Sequence, residues 1–233
     1  GSYSCRVHHD PRASRLVANH PISRRNEQNL LLDLRSDEDP VRVKKVIFVC
    51  QVFYPDTTST SQLFQVLLQK LATMGWDIRV LCGFPTEKSH HHIPRKEIWH
   101  GISIHRCGLR IPLKENFLYR SVSCLSFLAN VAFHLLVSPR EFKWLGVTNP
   151  PFNAQVLALA SWIRERAFHY FLLDLHPEGL LAIEKLSHQN LLVKFWLSLN
   201  QRAYKRATTL FVLGRDMISL LENNYGLPAF QIV

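Results

Sequence analysis

Three short stretches carry the side chains best suited to chemistry on a polar ligand: Tyr54-Pro55-Asp56-Thr57-Thr58-Ser59-Thr60-Ser61, Thr148-Asn149-Pro150-Pro151-Phe152 and Asp174-Leu175-His176-Pro177-Glu178. The first joins an apolar run to an amphipathic one. A strand-to-helix turn of this kind usually holds a phosphate and uses glycine so that backbone can approach the ligand; this one has hydroxyls and no glycine. The other two supply an amide, an imidazole and carboxylates, which position hydroxyls and handle protons when gathered in one cleft. Each stretch also reads as an ordinary capped connection, with Thr60 as a helix N-cap and Asn149 or Asp174 satisfying backbone donors. Only convergence of all three on one site separates the two readings.

The elements around these stretches predict that convergence. Apolar and β-branched runs place strands at Val46–Gln51, Ile78–Cys82, Ile102–Arg106, Trp144–Thr148, Tyr170–Asp174 and Leu210–Leu213. Helical periodicity places helices near Thr60–Met74, Phe117–Val137, Phe152–Arg166, Leu191–Ala207 and Arg215–Tyr225, with Leu63, Val66, Leu67, Leu71 and Met74 as the apolar face of the first and Gly75 as its stop. Strand and helix alternate, so the expected class is α/β: a Rossmann-like, mostly parallel sheet with helices on both faces and right-handed crossovers. Ligands bind such sheets beyond the carboxyl ends of the strands, which is where all three polar stretches fall.

Composition bounds the remaining possibilities. The chain has 233 residues, 47% of them apolar, enough for a substantial core, and a formal net charge of +10 that suits phosphorylated ligands, an anionic membrane face or nucleic acid. Aromatic and basic residues are not interleaved as base stacking would need, so no nucleic-acid partner is expected. Five scattered cysteines, Cys5, Cys50, Cys82, Cys107 and Cys124, read as small buried hydrophobes of a reducing cytosol. Residues 1–40 form a polar extension without a signal-peptide core, and Gly1-Ser2 reads as a cloning scar; the folded domain is expected over residues 41–233. His90-His91-His92 are adjacent and lack a suitably spaced carboxylate or cysteine, so no metal site is assigned there. Phe117–Val137 is interrupted by Arg120, Asn130 and His134 and reads as a core-facing helix with a basic end. Lys114, Arg120, Arg202, Lys205 and Arg206 form either a solvated face or a peripheral membrane contact.

The stretches VIFVCQVFYPDTTSTSQLFQVLLQKLATMGWDIRVLCGFP, NPPF, FLLDLHPE and RAYKRATTLFVLGRDM followed by YGLP occur in an order that resembles the amino-terminal domain of family-four glycosyltransferases of the GT-B fold, especially the bacterial exopolysaccharide branch. The resemblance runs from about Val43 to the end. It implies an acceptor-side domain of a retaining enzyme, facing a carboxyl-terminal donor domain that grips a nucleotide-diphosphate sugar and is absent from this sequence. It also implies no required cofactor or metal, a glycan or lipid-linked acceptor, and a cytoplasmic location at the inner face of the membrane. On this reading Asp174 and His176 orient reacting hydroxyls, although His176 departs from the aromatic residue more often seen there. Tyr54, Asp56, Thr57, Thr58, Ser59, Thr60, Asn149 and Glu178 line the substrate site, with the hydroxyls bonding phosphate oxygens or sugar hydroxyls. A non-catalytic α/β interaction domain and a basic nucleic-acid-binding domain are the alternatives.

Overall fold

β1 is Lys45–Val49, and four of its five side chains are buried because it lies deep within the sheet and is covered on both faces. The computed structural model describes residues 43–85, 93–110, 117–182 and 189–233; residues 1–40, Cys5, Lys114 and the His90–His92 run lie outside these. After β1 come α1 (Ser59–Thr73), β2 (Asp77–Cys82), β3 (Lys96–Trp99), β4 (Ile102–Arg106), α2 (Phe117–Leu136), β5 (Phe142–Val147), α3 (Asn153–Arg164), β6 (Phe168–Leu172), α4 (Glu178–Ala182), α5 (Leu191–Arg206), β7 (Thr209–Val212), α6 (Arg215–Tyr225) and a 3-10 turn at Ala229–Gln231. The strands form one sheet of order β3-β4-β2-β1-β5-β6-β7. All neighbours are parallel except β3, which pairs antiparallel to β4. The fold is therefore the expected Rossmann-like α/β class.

β3 has no counterpart in the sequence reading. Its residues Lys96-Glu97-Ile98-Trp99 alternate between exposed and half-buried, the pattern of an edge strand covered on one side, so no apolar run announces it. It joins β4 through His100-Gly101, both at positive φ (48° and 79°), between the paired residues Trp99 and Ile102. Two left-handed residues in a two-residue turn match the twist of the hairpin.

Two apolar layers flank the sheet. One buries Phe48, Phe53, Val80 and Ile104 beneath α1; the other buries Val49, Leu81, Trp144 and Tyr170 beneath α2, α3, α5 and α6. The buried face of α1 is Ser61, Phe64 and Leu68, whereas Leu63, Val66 and Met74 of the expected face are exposed. The face is set by Phe64, whose ring lies 4.9 Å from Phe48 and 5.2 Å from Phe171, so the helix turns Phe64 and Leu68 inward and leaves Leu63, Val66 and Met74 to solvent. Gly75, at φ +84°, ends the helix as expected. α2 buries Phe127, Val131 and Leu135 but leaves Leu125 and Phe133 exposed, and no described helix is long and apolar enough to cross a membrane. Cys50, Cys82 and Cys107 are buried and free, and burial pushes the thiols of Cys50 and Cys107 up to about 12.

Gly146 is closely packed against the second layer. A Cβ there would collide with Leu157 Cδ1 and sit 3.1 Å from Tyr170 Cδ2, and both side chains are already buried. Gly146→Ala is expected to destabilise the domain by ~1–3 kcal/mol through overpacking, seen as a lower urea midpoint at unchanged m-value. An unchanged midpoint would mean that Leu157 has room to move aside.

Candidate functional site

From β1 the chain winds to β2 and β4 on one side, and α2 then returns it to β5 on the other. The winding reverses between β1 and β5, and the carboxyl ends of those two strands border the crevice where doubly wound sheets take ligands. The three polar stretches follow β1, β5 and β6, which are adjacent in the sheet, so all three emerge at one edge. They are also stitched together. The Gln51 N–H donates to Asn149 O at 3.1 Å, and the Asn153 amide donates to Val147 O (2.8 Å) and Val49 O (3.4 Å), tying the ends of β1 and β5. Between β5 and β6, Thr148 Oγ1 accepts from Leu173 N at 2.9 Å and donates to Phe171 O at 3.1 Å. Each stretch contains one cis X–Pro bond: Tyr54–Pro55, Asn149–Pro150 and His176–Pro177.

The first turn has a fixed inner part and an open outer part. Tyr54 stacks on Trp99 at 4.8 Å, and its carbonyl accepts from Arg106 Nη2 at 3.1 Å. Asp56 is buried; its N–H donates to Phe53 O and its carbonyl accepts from Gln65 Nε2, which also donates to Ser61 Oγ. The N-cap is Thr58, whose Oγ1 accepts from Ser61 N at 3.3 Å, not Thr60 as the sequence suggests. The helix begins one residue earlier than the apolar periodicity implies, which moves the cap with it. Thr57, Thr58 and Ser59 are exposed and Thr60 half-buried, so the hydroxyl-rich part faces outward beside the positive end of α1.

In the other two turns the capping is done by residues that sequence reasoning did not single out. Asn149 contributes its carbonyl to Gln51, while the buried amides and hydroxyls holding the edge belong to Thr148 and Asn153. Phe152 adopts φ +70° and stacks on Trp196 of α5 at 4.9 Å. Asp174 is exposed at the edge. His176 is half-buried; its carbonyl accepts from Asn200 Nδ2 at 2.5 Å, and Asn200 Oδ1 accepts from Gln155 Nε2 at 2.6 Å. With Thr148, Tyr170 and Trp196 it lines a cavity of about 10 Å³, room for one water. Glu178 is directed elsewhere: the Tyr225 hydroxyl donates to its Oε1, and the phenols of Tyr225 and Tyr204 are pushed upward, mainly by burial and further by this carboxylate.

Asp56 and Glu178 therefore brace the edge, while Thr57–Thr60, Asn149, Asp174 and His176 border it. Asn153 had a faint signal, a polar residue opening a helix after two prolines. Asn200 had none, since a single amide inside an amphipathic helix reads as solvated. Asn153→Ala would leave the Val147 carbonyl without its side-chain donor, and a loss of ~1–3 kcal/mol is expected in a urea melt. A change below ~0.5 kcal/mol would show that the Asn153 bonds contribute little.

No protein-family model matches the sequence, and no curated protein does. Solved structures do match: one is a sucrose-phosphate synthase from Thermosynechococcus elongatus, aligned over 76% of this chain and 80% of that one, with a TM-score of 0.44 and 11% identity.

Proposed function

We propose that residues 43–233 are the acceptor-side domain of a retaining, nucleotide-sugar-dependent glycosyltransferase of family four, acting in exopolysaccharide or cell-envelope glycan synthesis. The observation that supports this reading is the emergence of three polar turns side by side at the point where the sheet reverses its winding. An acceptor hydroxyl attacks the anomeric carbon with retention while the diphosphate departs. Asp174 and His176 orient the hydroxyls. Thr57, Thr58, Ser59 and Thr60, together with the amino-terminus of α1, receive the diphosphate through hydroxyls and backbone N–H groups. Two close carboxylates of the glycosidase kind play no part, since Asp56 is buried within the first turn and Glu178 is bonded to Tyr225. The donor sugar is gripped by a carboxyl-terminal domain, and the enzyme works at the cytoplasmic face of the membrane on a glycan or lipid-linked acceptor.

The test compares this chain with the same chain extended by the coding sequence that follows Val233. Both are incubated with a panel of nucleotide-diphosphate sugars and membrane extract, and nucleotide release is followed. Turnover by the extended protein and none by the 233-residue chain is expected. Transfer by the short chain alone would overturn the half-enzyme reading; steeply salt-dependent binding of DNA or RNA, with no donor turnover by either, would replace it with the nucleic-acid one.

A further inference from the structure

A cavity of about 420 Å³ opens on the broad face of the sheet beside α2, and it shares no lining residue with the crevice at the carboxyl edge. Its volume falls within the range of small-molecule sites. Ile47 and Leu81 provide a buried apolar floor, and Val137 adds an apolar wall. Around them stand Arg79, Lys96, His105 and His134. The two imidazoles meet edge to face at 4.3 Å between ring centres, one from β4 and one from α2. Arg79 lies over the Phe142 ring at 4.1 Å, which holds its guanidinium in place without consuming its charge.

The electrostatics of this cavity are one-sided. Among the described residues Glu97 is the only carboxylate in the lining, and its Oε1 is taken by Arg106 at 2.5 Å. Neither Arg79 nor Lys96 has a carboxylate partner among the described residues. The groups acting on the imidazoles are the neighbouring ring and two cations: His134, Lys96 and Arg95 bear on His105, and Lys96 on His134. Burial is the largest cause; for His105 the neighbouring His134 comes next and then Lys96 and Arg95, and for His134 Lys96 comes next, so His105 is held down at about 4 and His134 below its ordinary value. Both rings are neutral at pH 7, and each offers an N–H donor.

We infer that this cavity binds an amphiphilic organic phosphate, with the phosphate among Arg79, Lys96 and the His105–His134 pair and the hydrocarbon on Ile47 and Leu81. Two cations and two neutral imidazole donors match the oxygens of a phosphate, and the apolar floor separates such a ligand from a free inorganic ion. Bound phosphate favours the protonated imidazoles, so binding and protonation strengthen each other: the anion raises both histidine midpoints, and falling pH tightens binding as His105 and His134 charge. The site is independent of the sugar-transfer reading, since it stands or falls without any donor.

Hexyl phosphate is the probe, titrated into the full 233-residue chain and followed by the imidazole proton resonances of His105 and His134. Both resonances are expected to move, and the His105 midpoint to rise by about half a pH unit or more at saturation. Arg79→Ala and Lys96→Ala, both at exposed positions and checked by circular dichroism, should each weaken binding by about fivefold or more. Phosphatidylcholine vesicles containing phosphatidic acid separate the two sources of the ligand: the same shifts with co-sedimentation assign a lipid headgroup, and shifts with hexyl phosphate alone assign a soluble ester. Inorganic phosphate binding as tightly as hexyl phosphate would overturn the inference. So would unmoved imidazole resonances, or unchanged affinity in both variants.

Discussion

Arg106→Met is expected to destabilise the domain by ~3–5 kcal/mol and to lower the melting temperature by roughly 10 °C. The side chain is fully buried at the end of β4. Its Nη1 donates to Pro94 O at 2.8 Å, and its Nη2 donates to Tyr54 O at 3.1 Å and to Glu97 Oε1 at 2.5 Å. Methionine fills much of the volume and supplies none of the donors, so two carbonyls and a carboxylate lose charged partners worth about 1.5–3 kcal/mol each before relaxation. The Glu97 side chain is 23% exposed and regains some water, which keeps the total below the simple sum. The damage reaches the candidate site, because Tyr54 opens the hydroxyl-rich turn and Arg106 ties that turn to the hairpin of β3 and β4.

A second substitution separates electrostatics from packing. If uncompensated charge dominates, Glu97→Leu added to Arg106→Met recovers a good part of the loss, since an apolar pair often replaces a buried ion pair at little cost. A double-mutant cycle measures that coupling. A melting temperature within ~3 °C of the parent for the single variant would show that the pair is dispensable.

Arg106 also marks the limit of what the sequence reveals. The strand Ile102–Arg106 is legible from its β-branched alternation, and its observed bounds are the same, Ile102–Arg106. That its last residue is a buried cation is not legible, because its partner Glu97 sits on an edge strand with no apolar run, and its other acceptors are backbone carbonyls. The parallel core was readable for the opposite reason. Phe48, Val80, Trp144 and Leu210 are buried on both sides of a covered sheet, so their runs are continuous and apolar. β5 and β6 begin two residues earlier than expected, at Phe142 and Phe168, because each opening aromatic is itself buried in the sheet.

The site divides along the same line. Which turns would meet followed from the alternation of strand and helix, since parallel strands put all their carboxyl ends on one edge. Which side chains would brace that edge did not. Thr148, Asn153 and Asn200 are chosen by contacts with backbone carbonyls or distant side chains; at the opposite edge the Gln231 amide likewise donates to both Tyr204 O and Ala207 O at 2.5 Å. Arg206, read as part of either a solvated face or a peripheral membrane contact, donates to Ser161 and joins α5 to α3. Long-range partners of this kind leave no local period to find.

On the proposed sugar-transfer reading, Asp174→Asn and His176→Ala, made in the proposed two-domain enzyme, are expected to lower turnover by about 30- to 1000-fold, the equivalent of ~2–4 kcal/mol of transition-state stabilisation, while leaving folding nearly unchanged. The structure gives a reason to expect that separation. Asp174 is exposed, so its amide is tolerated without desolvation. The turn at His176 is anchored through its backbone carbonyl to Asn200, a bond that His176→Ala keeps. Glu178→Gln is the contrasting variant: it disturbs the bond from Tyr225, so its effect should fall on thermal stability by ~1–2 kcal/mol more than on activity per folded molecule. Initial rates across acceptor concentrations, normalised to folded protein by circular dichroism and thermal melts, distinguish the two patterns. Wild-type rates in both Asp174→Asn and His176→Ala would remove these residues from the reacting centre, and a stability loss equal to that of Glu178→Gln would make their turn a brace and not a site.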